Sequence, residues 1–173
     1  MNTINHLRLN VGFIIHETVG YTRDIPLDLP FIHLPPDLDL ENFSGVVRIS
    51  RAQQGLVVQM QVKSDTTAQC GRCLVEFGQQ LSADFTDLYA FTPRLADESG
   101  LVLPENGQLD LAPSIREELL LSFPINPVCR PDCKGLCVVC GENRNEVQCG
   151  HTQEGFDPRL EILKSLKEEP TED

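Results

Sequence analysis

From Gly45 to Tyr89 apolar and polar residues alternate with a period of two, most cleanly in Val58-Gln59-Met60-Gln61-Val62-Lys63. Successive side chains of a strand point to opposite faces, so Val58, Met60 and Val62 share a buried face while Gln59, Gln61 and Lys63 face water. The pattern recurs before this run, in Gly45 to Ser50, and after it, in Leu81 to Phe85. Between the first two runs, Arg51 to Gly55 ends on a glycine that tolerates the positive φ of a short hairpin loop. Connectors this short imply antiparallel pairing, because a parallel crossover needs a dozen or more residues. Tyr21 to Leu29 is a weaker strand candidate, and Pro26 either places it at a sheet edge or ends it.

The period changes later. Pro113 suits a first helical turn, Ile115, Leu119 and Phe123 recur every fourth residue, and Pro124 stops the run, which predicts a helix covering the sheet. Before it, residues 92–107 carry Pro93, Gly100, Pro104 and Gly107 among acidic residues and read as a surface loop. Near the end, Asp157 can cap and Pro158 can start a helix through Lys167, followed by an acidic tail. The fold class expected is α+β: mainly an antiparallel β-sheet or partly closed barrel, a few short helices packed on it, and a C-terminal Cys-rich zinc-binding module. The boundaries expected are a β-rich core with its covering helix over 1–125, then the Cys-rich module, C-terminal helix and acidic tail over 126–173.

Composition narrows the class. With 40% hydrophobic and 23% charged residues, the 173-residue chain is globular rather than disordered. No apolar run is long enough to cross a bilayer and the N-terminus lacks a signal-peptide pattern, so the expected location is cytoplasmic. The formal charge of -12 repels phosphate backbones and favours basic partners, although acidity also serves solubility alone. No P-loop, Rossmann glycine pattern or Gly-x-Ser-x-Gly is present. Neither an enzyme nor a small-molecule binder is expected.

The chemistry lies in the cysteines. In a reducing compartment clustered cysteines are more often metal ligands or redox groups than disulfides, and seven is an odd number to pair. Cys137-Val138-Val139-Cys140-Gly141 can fold two thiolates onto one metal, with the glycine letting the backbone turn closely beneath them. Cys149 and His151 supply two more donors, so Cys137, Cys140, Cys149 and His151 are the expected ligands of a closed, structural Zn2+ site. Cys129, Cys133, Cys70 and Cys73 are further candidate ligands, and all eight donors would make two four-donor sites. Read alone, Cys70-Gly71-Arg72-Cys73 ranks first as two partly buried free thiols, since Leu74 rather than glycine follows it. His6, His16 and His33 have no spaced partner, and Asp37/Asp39/Glu41 and Asp84/Asp87 read as solvated acidic faces.

Five ordered segments carry a resemblance: Gly45 to Ile49, Cys70 to Phe77, Leu109 to Leu119, Cys133 to Asn145, and Asp157 to Leu160. Together they resemble the YceD-like family of large ribosomal RNA subunit accumulation proteins over roughly residues 10–167. The resemblance implies a non-enzymatic factor supporting accumulation of large-subunit rRNA and ribosome assembly. Two departures stand out. Val138 replaces a common proline, and His151 stands where a Cys-x-Cys ending is usual, which favours zinc because histidine can replace a thiolate ligand but cannot form a disulfide. The acidic charge makes a basic ribosomal protein or assembly factor the expected partner, with rRNA reached only indirectly. The competing expectation is a zinc- or thiol-based redox sensor that releases a partner on metal loss or oxidation.

Overall fold

A computed structural model describes residues 6–151. In chain order, β1 (Arg8–Asn10) leads through the short helix α1 (Gly12–Ile15) into four long strands, β2 (Thr22–Leu34), β3 (Leu38–Arg51), β4 (Gly55–Gln69) and β5 (Glu76–Ala90). β6 (Gln108–Asp110) and the helix α2 (Ala112–Leu121) follow. The long strands form one antiparallel sheet in the order β2-β3-β4-β5, and β1 pairs with β6 as a separate two-stranded ribbon.

This is an open sheet, not the partly closed barrel offered as an alternative: β2 and β5 are its two ends and do not pair with each other. Its apolar face is sealed by other elements instead. Leu7, Val11 and Ile14 from the start of the chain, Leu109 and Leu111 around β6, and Ile115 and Leu119 of α2 share one core with Val47, Ile49, Val58, Met60 and Val62 of the sheet. Tyr89 on β5 meets Ser114 on α2, oxygen to oxygen at 3.3 Å. Burying a side chain such as Leu119 is worth roughly 1.5–3 kcal/mol, which holds a ten-residue helix too short to be stable alone.

The strands run much further than their apolar alternation, to 13–15 residues. Beyond Val62 the ladder continues through Asp65↔Gln80, Thr66↔Gln79 and Thr67↔Gly78, where polar side chains are tolerated because most reach water. Ser64, the exception, is buried and donates its hydroxyl to the Glu41 carbonyl at 2.8 Å. In β3 the alternation slips. Leu38 and Leu40 are buried, then Phe43, Val47 and Ile49, and the switch coincides with Asn42 at φ 52 and a register shift against β4. One inserted residue exchanges the faces of a strand, so the bulge keeps both Leu40 and Phe43 in the core.

Pro26 does lie in an edge strand, opposite Val46. Pro113 sits in the first turn of α2, which ends at Leu121, short of Phe123. The acidic loop is partly tied down, with Leu103 buried and Val102 bridged to Ala90. The helix expected from Asp157 and the acidic tail lie outside the described residues. Among those described, no helix is long and apolar enough to cross a membrane.

Candidate metal centre

The eight donors converge on two places, four in each. The inner group forms where Cys70 to Val75 joins β4 to β5. There the Cys70 amide donates to the Val75 carbonyl and the Leu74 amide donates back to the Cys70 carbonyl, both at 2.9 Å. Cys129 and Cys133 arrive from the segment after α2, held by Gly71 N–H on the Pro127 carbonyl at 2.8 Å and Leu136 N–H on the Arg72 carbonyl at 3.0 Å. The sulfurs of Cys70 and Cys133 are 3.8 Å apart and those of Cys73 and Cys129 3.7 Å. Cys70, Cys73 and Cys133 are buried, with Phe77, Val128 and Leu136 packed around them.

The outer group repeats the same turn. Cys137 N–H donates to the Glu142 carbonyl and Gly141 N–H to the Cys137 carbonyl, both at 2.8 Å, at the same sequence offsets as in the inner turn. Gly141 has φ 75, and its counterpart Leu74 has φ 61. Leu74 therefore takes the left-handed backbone that glycine was expected to provide, at the cost of some strain. The Cys137 sulfur lies 3.8 Å from His151 Nδ1. Cys137 is buried, Cys149 half-buried, and Cys140 and His151 exposed.

Both donor sets fit zinc. Within each group all four ligand atoms lie within 4.8 Å of one another, and all seven cysteines are free thiols. Four sulfurs at a Zn–S distance of about 2.3 Å define a tetrahedron with edges of roughly 3.8 Å, close to the sulfur separations observed. The protein environment already polarises the thiols. Backbone N–H groups, chiefly that of Cys129, bring Cys70 down to about 6 against the effect of burial. The amides of Cys140 and Val139 bring Cys137 down to about 6. Burial pushes Cys129 up to about 12, and the neighbouring thiols add to the rise. A dication at the centre favours the thiolate at every position and removes this opposition.

Two residues without a role in the sequence reading support the inner group. The Asn145 amide contacts the Cys133 sulfur at 3.4 Å while its carbonyl oxygen accepts the Lys134 N–H at 2.9 Å. Arg72 donates from Nη1 to the Cys133 carbonyl at 3.1 Å. Their only cue is position, since ligand spacing says nothing about which neighbours orient a ligand. The remaining candidates stay apart from both centres: His33 is bound to Asp39 at 2.6 Å, Asp37 to Arg116 at 2.6 Å, and His6 and His16 are exposed.

All eight donors fall within residues 58–167, the region matched by the family model described as large ribosomal RNA subunit accumulation protein YceD. The chain belongs to the YceD family. It is 33% identical over 160 residues to uncharacterized proteins of Mycobacterium bovis and Mycobacterium tuberculosis, covering 89% of this chain and 73% of each relative. A chloroplastic large ribosomal RNA subunit accumulation protein of Arabidopsis thaliana, YCED homolog 1, is 33% identical over 66 residues, 38% of this chain and 21% of that protein. No solved structure matches the chain. In this YceD-family chain the inner group takes one pair of thiols from the β4–β5 turn and the other from beyond residue 126, and the backbone hydrogen bonds of Gly71 and Leu136 hold the two segments together there.

Proposed function

We propose that this YceD-family chain is a non-catalytic factor that supports accumulation of large-subunit ribosomal RNA by binding a basic ribosomal protein or assembly factor, with zinc in both four-donor groups as structural cross-links. Family membership supports the ribosomal role. The charge of -12 supports the class of partner, because a surface of that sign steers basic proteins in and RNA away. Bound zinc does not reverse the sign: four thiolates, or three thiolates and a histidine, outweigh one dication. A closed four-donor shell leaves no position for a reacting water, which suits stability rather than hydrolysis.

Pull-down from lysate at low and high salt, with and without nuclease, tests this reading. Retention of a basic protein at low salt, resistant to nuclease and released at high salt, is expected. Recovery of RNA alone, with nothing left after nuclease, would sink it. A sensor confined to the outer group is the second reading, favoured by the exposure of Cys140 and His151. Mild oxidation that releases about one zinc per chain together with a bound partner supports that reading; release of zinc with the partner retained refutes it.

A further inference from the structure

The two edges of the sheet are not alike. At the β2 edge, Tyr21 bonds inward to β3 through its carbonyl, so the even-numbered positions that follow turn their backbone groups outward. Pro26 occupies one of these and has no N–H to offer, and Pro30 interrupts the edge again. Proline at an edge is a standard protection against pairing with another chain.

β5 has no proline, lysine or arginine along its 15 residues. Its register against β4 is unbroken, and both ends fix which groups face out. Val75 and Phe91 bond to the β4 side, whereas Ala90 bonds away from it, to Leu101 and Leu103. The backbone N–H and C=O groups of Gly78, Gln80, Ser82, Asp84 and Thr86 therefore point away from the sheet. Among the described residues, no other strand pairs with them. The Gln80 carbonyl is occupied only by the side-chain amide of Gln79, at 2.9 Å. Along this edge Ala83 and Phe85 are half-buried against the main core and Phe77 against the inner cysteine cluster, and Glu76, Asp84 and Asp87 supply charge of one sign. Asp87 Oδ2 is buried with no hydrogen-bond partner.

We propose that the free edge of β5 receives an extended basic segment of a partner protein, which adds to the sheet as a further strand with basic and apolar side chains alternating. The inference rests on the reading that the partner is basic. Main-chain hydrogen bonds would supply the affinity, with Phe77, Ala83 and Phe85 and the acidic residues selecting the side chains. From Gly78 to Thr86 the edge offers about 30 Å, room for a strand of ordinary length. Charge decides among occupants. A second copy of a chain carrying -12 is repelled, and residues 152–173 of this chain carry seven acidic against three basic side chains, a net charge of -4.

The test titrates a labelled ten-residue peptide of alternating lysine and valine, and the same peptide N-methylated at every second residue, into the full chain. Amide exchange is followed by NMR. The expected result is saturable binding by the first peptide, at least tenfold weaker binding by the N-methylated one, and slowed exchange at Gln80, Ser82 and Asp84. Ser82→Pro, which removes an N–H that β4 does not use, should weaken binding at least tenfold while retaining metal. Equal binding of both peptides, absence of binding, or protection elsewhere overturns the edge as the docking site. Edge amides already protected in the free protein also overturn it: protection that grows with protein concentration assigns the edge to a second copy, and protection independent of concentration to residues 152–173. The partner reading is decided separately, by the low-salt pull-down.

Discussion

Removing one inner sulfur should weaken the whole sheet, whereas removing an outer one should not. Cys133→Ser deletes a donor whose contact within the inner group, Cys70, lies 63 residues away along the chain, and the Cys73–Cys129 pair spans 56. A cross-link closing a loop of that size restricts the unfolded chain by about 4 kcal/mol in the chain-entropy account. The outer pair Cys137 and His151 is only 14 residues apart, worth about 3 kcal/mol, and the loop it closes contains no strand of the main sheet. With a urea slope of roughly 2 kcal/mol per molar, loss of the inner link lowers the sheet's unfolding midpoint by about 2 M. The assay is urea unfolding followed by far-ultraviolet circular dichroism of the zinc-loaded protein, with and without chelator. Chelated wild type and Cys133→Ser should unfold together, and the variant should be insensitive to chelator. Cys140→Ser should keep nearly the wild-type sheet midpoint. A Cys133→Ser midpoint within about 0.3 M of wild type would refute the cross-link, as would an equal loss in Cys140→Ser.

Elemental analysis of protein purified without chelator should give about two zinc ions per chain, falling to about one in Cys70→Ser and in Cys137→Ser; a wild-type value near one removes one of the sites. Gly135→Ala places a Cβ 3.0 Å from the Arg72 carbonyl at φ +71 and should cost about 1–3 kcal/mol and speed zinc loss to chelator, whereas Gly150→Ala, in open space, should do neither. Phe43→Ala, at the bulge and fully buried, should cost about 3–5 kcal/mol by denaturant unfolding. Arg48→Ala breaks a two-pronged pair with Asp24 but should leave the urea midpoint close to wild type, because both side chains are about half exposed and water screens the pair.

The sheet's centre was legible because burial on one face writes a period of two, as Val58, Met60 and Val62 show. Its ends were not: Thr66, Thr67 and Gln79 pair in the ladder with little apolar signal, since strand pairing is a main-chain property that polar side chains on a wet face do not oppose. Nor did periodicity foresee the exchange of faces at Asn42, which needs the register of the neighbouring strand to be seen. The outer donors could be grouped by spacing because they lie within 15 residues, from Cys137 to His151. The inner group was obscured by distance along the chain and by Leu74. Glycine is the cheapest residue at positive φ, yet a leucine there is tolerated where two flanking backbone hydrogen bonds hold the turn.

The two centres have the same turn but different dependence on their surroundings. The inner sulfurs sit in a small apolar cluster of their own, separate from the main core, and Phe77 of β5 belongs to that cluster. Residues 126–151 otherwise contribute no side chain to the main core, so burial alone offers little to offset the entropy of ordering them. Zinc bound as proposed would then do what a core does elsewhere, which is the situation of small metal-folded modules. The inner centre couples that dependence to the sheet, because its other two thiols end β4 and precede β5. Through Phe77, metal held at the inner centre as proposed would also steady the beginning of the long edge that no proline protects, and would join a structural role of the thiols to the surface proposed for a partner.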